Sequence, residues 1–345
     1  MNKTYNFHGK IISLEPMTVS LPNQKNGQRL PRNGGAEGKP YFPGTSLRGA
    51  IRHFGHQLSV RKQEQSGHPK FDYKDHFLLA QGIDSANDIE LSSDAEIDAN
   101  KELREKNPML SLWGLWGLNS KVGVGCLYPT TDDCWGMFGM GARSNMFLRT
   151  PELLDLLSDD DKAKLNVLLE EEHDASKEVR LIKGQIRDLK SSLKGSSPDE
   201  RKNIMQQISK LEDQIANVKD QKTESRESIQ RPLDGYEAFA ANTEFNHHMC
   251  LRDGTDVELG LLLATLIQFA HHPYLGGHFA HNAGRISAHW DITYWADDEL
   301  TPTHVGSISF DATGVHLEGD KLKEAIDAWK AFSGDLGKQA ILTVG

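Results

Sequence analysis

The chain has 345 residues, which is enough for one large domain with insertions or for two domains. Its formal net charge is -10, its three cysteines form no C-x-x-C pair, and its longest apolar run, "LGLLLATLIQFA", is too short to span a bilayer. This composition excludes a disulfide framework and a membrane-spanning helix, and we expect a cytoplasmic protein without a signal peptide.

The net charge conceals a strong local asymmetry. Residues 1–71 carry 11 basic and 3 acidic residues, whereas residues 72–105 carry 3 basic and 10 acidic residues and residues 231–345 carry 7 and 16. Such asymmetry indicates a binding site for a polyanion on one face, with acidic residues elsewhere keeping the protein in solution. Ordinary solvated surface charges explain the basic N-terminal segment equally well.

The first part of the chain alternates between regular and irregular patterns. Residues 4–14, rich in aromatic and β-branched side chains, predict a first strand. Residues 16–44 hold many Pro, Gly and Asn residues and predict a long loop, which a helix follows from about Ser46. Residues 72–107 are acidic and predict a surface insertion, and residues 108–141 mix glycine with tryptophan, which favours tight turns between short strands.

Residues 152–230 predict a long helical hairpin. The segment has almost no aromatic residues, and its apolar residues recur at helical spacing on both sides of "GSSPDE". Ser197 as N-cap and Pro198 at the first helical position predict the start of the second helix. We therefore expect two antiparallel helices joined by residues 195–197, a coiled-coil hairpin that serves as a spacer or a partner surface.

A globular pattern returns after residue 230. "YEAFAANTEFNHHMCLR" predicts two short strands or one bent strand, "DVELGLLLATLIQFAHH" a helix, "YLGGHFAHNAGRISAHWDITYW" a glycine-rich loop leading into a strand, and "DKLKEAIDAWKAF" a late amphipathic helix. This order predicts an α+β protein with a ferredoxin-like or RRM-like antiparallel sheet carrying large insertions. The predicted division is an RRM-like palm (1–71, 108–151 and 231–345), an acidic surface insertion (72–107) and the helical hairpin in a thumb position (152–230).

The stretch "KPYFPGTSLRGAIRH" is the first candidate site. Pro43-Gly44 cannot continue a strand or a helix, and Thr45 or Ser46 is placed to cap the helix that follows. The free N–H groups of such a helix start, at the positive end of the helix dipole, form a site for an anion.

The same helix carries two faces, because side chains four residues apart lie on one side of a helix. The apolar face is formed by Leu47, Ile51, Phe54 and Leu58. The neighbouring face is formed by Arg48, Arg52 and His56. Two guanidinium groups one turn apart, roughly 6 Å, match the phosphate spacing of a nucleic-acid strand. The alternative is that the two arginines pair with acidic residues of the 72–105 segment.

The loop "LGGHFAHNAGRIS" is the second candidate site. Its glycines let the backbone approach a ligand and present N–H groups, while its polar side chains add donors. The positions are Gly276, Gly277, His278, His281, Asn282 and Arg285. An ordinary hairpin turn explains the same glycines. The loop leads into a strand, which argues against dinucleotide binding, and the histidines of the last third match no metal-binding spacing, so we expect no metal and no cofactor.

"KPYFPGTSLRGAIRH" resembles the signature of the RAMP superfamily (repeat-associated mysterious proteins) of CRISPR systems, approximately P-Y-I-P-G-S-S-L-K-G-x-[IL]-R. "LGLLLATLIQFAHHPYLGGHFAHNAGRISAHWDI" resembles the helix, glycine-rich loop and final strand of that family, although Ala283 stands where the family often has glycine. "EAFAANTEFNHHMCLR" and "WGMFGMGARSNMFLRTPELL" resemble two further family segments. The resemblance does not cover residues 72–107 or 160–228.

The resemblance implies a backbone subunit of a class 1 effector complex, and "H-P-x-L-G-G" at His272–Gly277 looks most like the type IV backbone protein. Such a subunit polymerises along CRISPR RNA and holds the guide by its phosphates. The implied partners are CRISPR RNA, complementary target nucleic acid, further copies of the chain in a helical filament and other effector subunits, with no membrane. The implied RNA-binding residues are Lys25, Arg29, Arg32, Lys39, Ser46, Arg48, Arg52, His56, Arg143, Gly276, Gly277, His278, His281, Asn282 and Arg285.

We expect no catalysis. The resemblance implies that type III backbone subunits cleave target RNA with an aspartate in the loop before the P-Y-x-P-G turn, but residues 16–43 contain no Asp and only one acid, Glu37. Three alternatives stay open: a RAMP-type ribonuclease with His56 or His281 as general base, a type III subunit in which Glu37 replaces the aspartate, and a coiled-coil interaction protein whose basic loop binds an acidic partner.

Overall fold

A computed structural model describes residues 3–19, 29–35, 37–84, 96–139, 141–143, 146–192, 198–220, 231–233, 235–295 and 300–337. The chain forms two compact units. The first unit comprises Met1–Phe138 and Gly235–Gly345, and the second comprises Gly139–Asp234. The second unit is thus inserted between two segments of the first.

The described residues form thirteen strands and nine α-helices. The strands are β1 (Lys3–Ser13), β2 (Arg32–Asn33), β3 (Lys39–Pro40), β4 (Val122–Val124), β5 (Tyr128–Pro129), β6 (Trp135–Phe138), β7 (Gly141–Arg143), β8 (Arg231–Leu233), β9 (Tyr236–Phe239), β10 (Glu244–Gly254), β11 (Ile286–Tyr294), β12 (Thr303–Asp311) and β13 (Gly314–Glu318). The helices are α1 (Gly44–Gln65), α2 (Tyr73–Gln81), α3 (Glu96–Lys106), α4 (Pro108–Trp113), α5 (Met146–Arg149), α6 (Asp159–Ser192), α7 (Pro198–Asp220), α8 (Asp256–Ala270) and α9 (Asp320–Ala331).

A seven-stranded antiparallel sheet forms the centre of the first unit. Its order is β13-β12-β11-β1-β10-β4, with β5 also paired to β10. In the order in which they occur along the chain, β1, α1, β4, β10, α8 and β11 make a β-α-β-β-α-β unit with the strand order of a ferredoxin-like sheet. The predicted fold class, α+β with a ferredoxin-like antiparallel sheet and large insertions, is therefore confirmed. β12 and β13, which extend one edge of that sheet, were not anticipated from the sequence.

The two faces of the sheet differ in polarity, because side chains alternate along each strand. The inner face is apolar and fully buried, as Phe7 of β1, Met249 of β10 and Trp290 of β11 illustrate. Helix α8 packs on this side together with α1, α4 and α9. The other face carries exposed polar side chains such as His8 and His248, which lie opposite each other in the β1–β10 register.

Helix α8 lies where the sequence predicted a helix. The Thr255 hydroxyl accepts from the Glu258 N–H at 3.2 Å, and the Glu258 carboxylate accepts from the Thr255 N–H at 2.8 Å, a reciprocal capping box. Leu259 and Phe269 are among the α8 residues that are fully buried in the core. The late helix α9 also lies where its amphipathic pattern placed it.

The acidic 72–107 segment contributes to the core and is more than a surface insertion. Helix α2 buries Leu78 and Leu79, and α3 buries Leu103, all within the main apolar cluster. Residues 85–95 of this segment lie outside the described residues. The expectation was wrong for these helices because acidic composition describes their exposed sides and conceals the few leucines that pack inward.

The glycine–tryptophan segment also differs from expectation at its start. Residues Pro108–Trp113 form helix α4, in which every side chain is buried, capped by Asn107, whose Oδ1 accepts from the Leu110 N–H at 3.0 Å. A helix buried on all sides shows no amphipathic period, so the sequence pattern suggested short strands instead. Short strands do follow, as β4, β5 and β6.

A buried histidine links three strands of the sheet. His247 on β10 is 4% exposed; its Nδ1 accepts from the Trp290 indole N–H at 3.0 Å, and its Nε2 lies 3.2 Å from the Gly125 carbonyl. Because Nδ1 is an acceptor, the proton of the neutral ring sits on Nε2. Burial lowers the pKa of His247 to about 4, so the ring is neutral at pH 7.

The second unit contains the predicted helical hairpin. Helices α6 and α7 pack through a small apolar cluster that includes Ile182, Ile186 and Ile208. Helix α7 begins at Pro198, as the sequence predicted, whereas the proposed connection at 195–197 and the Ser197 cap lie outside the described residues. No helix in the described part of the chain is both long and apolar enough to cross a membrane.

Candidate nucleic-acid interface

The loop between β1 and α1 lines a polar groove in the first unit. The groove has a volume of about 770 Å³. The loop contributes Arg29, Arg32, Glu37 and Lys39, and the facing wall comes from β6, the residues before it, and β9. The facing residues are Asp132, Asp133, Trp135, Met137 and Glu237.

Glu237 of β9 organises the loop on the groove side. One carboxylate oxygen accepts from the Leu30 N–H at 2.9 Å, and the other is paired with the Arg32 guanidinium. Arg32 also donates to the Gly38 carbonyl at 3.1 Å and lies 6.0 Å from the centre of the Trp135 ring. Its buried Nε has no hydrogen-bond partner among the described residues, so this nitrogen is a donor that an acceptor in the groove would satisfy.

Lys39 forms an ion pair with Asp132, whose carboxylate lies 2.7 Å from the ammonium group. The hydrogen bond to Asp132 and the negative charge of that residue raise the pKa of Lys39. Both side chains are mostly exposed, and exposed pairs of this kind contribute little to stability. A phosphate can therefore compete with Asp132 for Lys39 at low cost.

The groove is not a simple basic trough. Its described lining has three cations against four carboxylates, Glu37, Asp132, Asp133 and Glu237. The expectation of a trough lined with positive potential is therefore not met by these residues. Lys25, which was expected to contribute, lies outside the described residues.

Arg52 does not face a groove. It is 5% exposed, and its guanidinium donates to the carbonyls of Leu79 at 2.8 Å, Leu78 at 3.1 Å and Trp113 at 3.3 Å. These carbonyls belong to the last turns of α2 and α4, where few backbone donors remain, although the Leu78 carbonyl also accepts from the Gly82 N–H at 2.9 Å. Burial, and next the charge of Arg48, lower the pKa of Arg52 to about 10. The expectation that Arg52 binds phosphate is wrong, because this side chain caps two helices.

Arg48 lies on the same side of α1 and is half-buried. Its guanidinium donates to the Trp113 carbonyl and lies 5.9 Å from the centre of the Trp113 ring. Burial lowers the pKa of Arg48. Neither arginine pairs with a described carboxylate, so the described part of the acidic segment supplies no such ion pair, and its residues 85–95 lie outside the described residues. The partner is the backbone of that region.

His56 and Ser46 also have roles inside the protein. The His56 Nε2 lies 2.9 Å from the His76 Nδ1, and burial, followed by the charges of nearby histidines and Arg52, lowers the pKa of His56 to about 4. A neutral ring of such low basicity makes neither a phosphate contact by charge nor a strong general base. The predicted cap is wrong, because α1 begins at Gly44 with Pro43 as N-cap and without a side-chain hydrogen bond.

Gly276 and Gly277 bring the second block against the first. Gly276 has a φ of +84°, and a Cβ at this position would overlap the Thr18 carbonyl oxygen and lie 3.4 Å from the Phe42 ring. The Gly277 N–H donates to the same Thr18 oxygen at 3.1 Å. The second block therefore packs against Phe42 of the first block and against Thr18. The N–H of Gly277 is already used, so it is not part of a free anion nest.

The remaining loop residues form a stacked and hydrogen-bonded group. The His278 ring stacks on Tyr236 with centres 3.9 Å apart and planes 7° apart, and the centre of the His281 ring lies 5.8 Å from that of His278. Burial and the charge of His281 lower the pKa of His278. Asn282 accepts from the Tyr274 hydroxyl at 2.8 Å, and half-exposed Arg285 forms no ion pair with any described residue. The loop lies next to β9, because Thr18, whose carbonyl accepts from the Gly277 N–H, donates its hydroxyl to the Glu237 carbonyl at 2.7 Å. Tyr236 and His278 are not among the residues that line the groove.

Arg143 belongs to the second unit of the chain. It lies in β7 of the second unit, where it pairs with Arg231 of β8 in register. The groove residues that the sequence did not single out are Gly38, Asp132, Asp133, Trp135, Met137 and Glu237. One signal was available for Glu237, since a single charge inside the apolar stretch "YEAFAA" is unusual for a strand that is largely buried.

The fold and this site define an α+β protein with a ferredoxin-like sheet, in which two separate glycine-containing blocks meet beside one polar groove. The chain belongs to the RAMP superfamily, whose family model matches residues 10–278. Curated proteins offer no match to this sequence. Among solved structures, a chain in the cryo-EM structure of the Type III-B Cmr-beta bound to cognate target RNA is similar at 9% identity with a TM-score of 0.39. The similarity covers 84% of this chain and 61% of the chain in that complex. This chain therefore spans less than two thirds of the length of the chain it resembles.

Proposed function

We propose that this RAMP protein is a non-catalytic backbone subunit that holds CRISPR RNA by its phosphates in an effector complex. The observation that carries the proposal is the packing of the PYFPG block (residues 40–44) against the glycine loop, through Phe42 and Gly276, with Thr18 between them in contact with Gly276 and Gly277. Glu237 of β9 lines the groove together with the cationic loop, and Tyr236 of the same strand stacks on His278, which supports binding of a single strand along β9. Phosphate contacts position a strand without reading its bases, and guide–target pairing then supplies the sequence specificity.

The proposed RNA contacts differ from those that helical spacing suggested. Arg29 and Lys39 line the groove, and Arg32 offers its unsatisfied Nε. The Tyr236–His278 stack provides planar surfaces beside the loop, and Arg285 adds a cation at its end. Arg48 and Arg52 serve the interface only by holding α1 against α2 and α4.

The absence of catalysis is part of the proposal. Glu37 is the acid nearest in sequence to the position where relatives carry an aspartate, and it lines the groove with Asp132 and Asp133. No group of three or more His, Cys, Asp or Glu side chains in the described ranges is arranged to hold a metal ion. In the mechanism proposed here, RNA is bound and presented for pairing while its backbone stays intact.

Removal of two groove cations tests the binding role. The variant Arg29→Gln/Lys39→Gln should bind every guide sequence more weakly, and the slope of log K against log salt should fall by about 1.4, since each lost phosphate contact removes about 0.7 on a single strand. The matched control Lys70→Gln/Lys330→Gln, which removes two exposed lysines outside the groove, should leave the slope unchanged. An unchanged slope in the groove variant would refute the phosphate role.

A cleavage assay separates this proposal from the nuclease alternatives. Guide RNA and complementary RNA should both remain intact with the purified protein and Mg²⁺. Cleavage that disappears in Glu37→Gln would establish a target nuclease, and cleavage without metal would establish an RNA-processing enzyme.

We also propose assembly into a filament of type IV character, as His272–Gly277 suggests. Neighbouring copies would bind head to tail along the guide, a heterologous contact that extends without closing. Complexes purified from co-expression with a CRISPR array should contain RNA of uniform length and several copies of the chain. The sequence of that RNA and the identity of the copurifying subunits test the subtype.

A further inference from the structure

The first unit contains a second polar cavity that the proposed guide groove does not include. Its volume is about 500 Å³, and it lies where β10 ends and α8 begins, with α3 along its side. Arg252 lies eight residues along β10 from Glu244, roughly 26 Å at the usual rise of a strand. The glycine loop joins β11 at the Glu244 end of the sheet, so the cavity is at the opposite end.

A buried carboxylate with one unused oxygen lines this cavity. Glu258 is 2% exposed, and its Oε2 accepts from the Lys121 ammonium at 2.9 Å and from the Thr255 N–H at 2.8 Å. Its Oε1 is buried and has no hydrogen-bond partner among the described residues. Buried acceptors are nearly always satisfied, and Lys121 already balances the charge of Glu258. The unused oxygen therefore calls for a neutral hydrogen-bond donor from a ligand.

Cations line the same cavity without carboxylate partners. Lys101 of α3 and Arg252 of β10 are exposed, and neither forms an ion pair with any described residue. Arg104 donates to two backbone carbonyls, those of Ser111 at 3.2 Å and Asn119 at 2.7 Å. Three cations without ion pairs are more than a single carboxylate ligand needs, and they suit a phosphate monoester, which carries -1.5 to -2 at neutral pH.

Two exposed carboxylates, Glu105 and Asp253, also line the cavity. With the Glu258–Lys121 pair counted as neutral, the lining retains one net positive charge. A ligand that binds both the cations and the carboxylates must carry an anionic group and hydroxyl groups that donate hydrogen bonds. Carboxylates that accept from ribose hydroxyls, combined with cations on the phosphate, are a frequent combination in nucleotide sites. The volume falls within the range of small-molecule pockets.

We propose that this cavity binds one 5′-phosphorylated ribonucleotide unit, with its phosphate against Lys101 and Arg252 and a ribose hydroxyl donating to the Glu258 Oε1. The unit is either a free nucleotide or the phosphorylated end of an RNA strand. This site is additional to the guide groove and does not depend on it.

Calorimetric titration of the RNA-free full-length chain with adenosine 5′-monophosphate tests the proposal. Adenosine, which lacks the phosphate, and the 2′,3′-dideoxy monophosphate, which lacks the donors for Glu258, should each bind at least tenfold more weakly. The variant Lys101→Ala/Arg252→Ala should lose at least tenfold in affinity, whereas Lys70→Ala/Lys330→Ala should bind as the unchanged chain does. Absence of binding at millimolar nucleotide, or equal affinity in the Lys101→Ala/Arg252→Ala variant, would overturn it.

Competition separates the two sources of the ligand. A short RNA with a 5′-phosphate that displaces the nucleotide, while the same RNA with a 5′-hydroxyl does not, identifies an RNA end. Failure of both RNAs to displace a nucleotide that does bind identifies a free nucleotide. The guide-groove variant Arg29→Gln/Lys39→Gln should bind adenosine 5′-monophosphate normally, so failure of one proposed site is distinguishable from failure of the other.

Discussion

Replacement of His247 by phenylalanine should change how the stability of the first unit depends on pH. In the folded chain, burial holds the pKa of this histidine at about 4, while the unfolded chain has an ordinary histidine value of about 6.5. As pH falls below about 7, His247 binds a proton in the unfolded state but stays neutral in the folded state. The free energy of unfolding therefore decreases as the pH decreases, until the pH reaches the pKa of His247 in the folded state.

The size of the effect follows from the two pKa values. Between pH 7 and pH 5, the difference in proton uptake removes about 2 kcal/mol from the free energy of unfolding. The phenylalanine variant lacks this term, but it leaves the Trp290 N–H without an acceptor, which costs about 1–3 kcal/mol at pH 7. The variant should therefore be less stable than the original chain at pH 7, and the difference should shrink by about 2 kcal/mol at pH 5.

Urea unfolding followed by tryptophan fluorescence measures the stability of the first unit specifically. All six tryptophans lie in the first unit, so unfolding of the helical hairpin does not contribute to the signal. The control Asn246→Gln alters an exposed side chain on the open face of the sheet that does not titrate, and its difference from the original chain should be the same at both pH values. If the original chain and the His247→Phe variant lose equal free energy between pH 7 and pH 5, the buried neutral histidine is not the cause.

Two further substitutions test the architecture beside the groove. Arg52→Met should destabilise the first unit by about 3 kcal/mol, because the Leu79 carbonyl loses its donor and the Leu78 and Trp113 carbonyls each lose one of two, whereas exposed Arg61→Met should change stability by less than about 0.5 kcal/mol. The same Arg52 variant, where folded, should keep the salt dependence of RNA binding. A smaller slope of log K against log salt would show that Arg52 contacts a phosphate. Gly276→Ala should lower the free energy of unfolding by more than about 2 kcal/mol, because the added methyl group meets the Thr18 carbonyl at a residue with positive φ. Gly49→Ala, in open space on α1, should raise the free energy of unfolding by up to about 1 kcal/mol. Urea midpoints of the four variants decide both comparisons, and a tolerated Gly276→Ala would contradict the close packing of the two blocks.

Much of the fold was predictable because local patterns matched the final environment. Helix α8 has a capping box and a continuous apolar surface, and α7 begins at a proline that suits a first helical turn. Helix α4 was not predictable in the same way. It is buried on every side, and periodicity carries no information where no side chain meets water.

The candidate site shows a sharper limit. Spacing along α1 correctly placed Arg48 and Arg52 on one side of a helix, but it could not say what that side faces. The carbonyls of Leu78, Leu79 and Trp113 occupy it, and they come from helices that follow α1 in the chain. Arg48 and Arg52 therefore donate to carbonyls at the ends of two helices of the protein, although their spacing on α1 would also suit two phosphates.

By itself, the sequence determined the family blocks, the ferredoxin-like order of strands and helices, and the hairpin between them, because these depend on residues near one another in the chain. Only the tertiary structure decided which charges remain available. Arg32 meets Glu237 across 205 residues, and Lys121 meets Glu258 across 137. A side chain's partner is set by how distant segments pack, and the energy of burying a charge then determines whether it is neutralised inside the protein or left for a ligand.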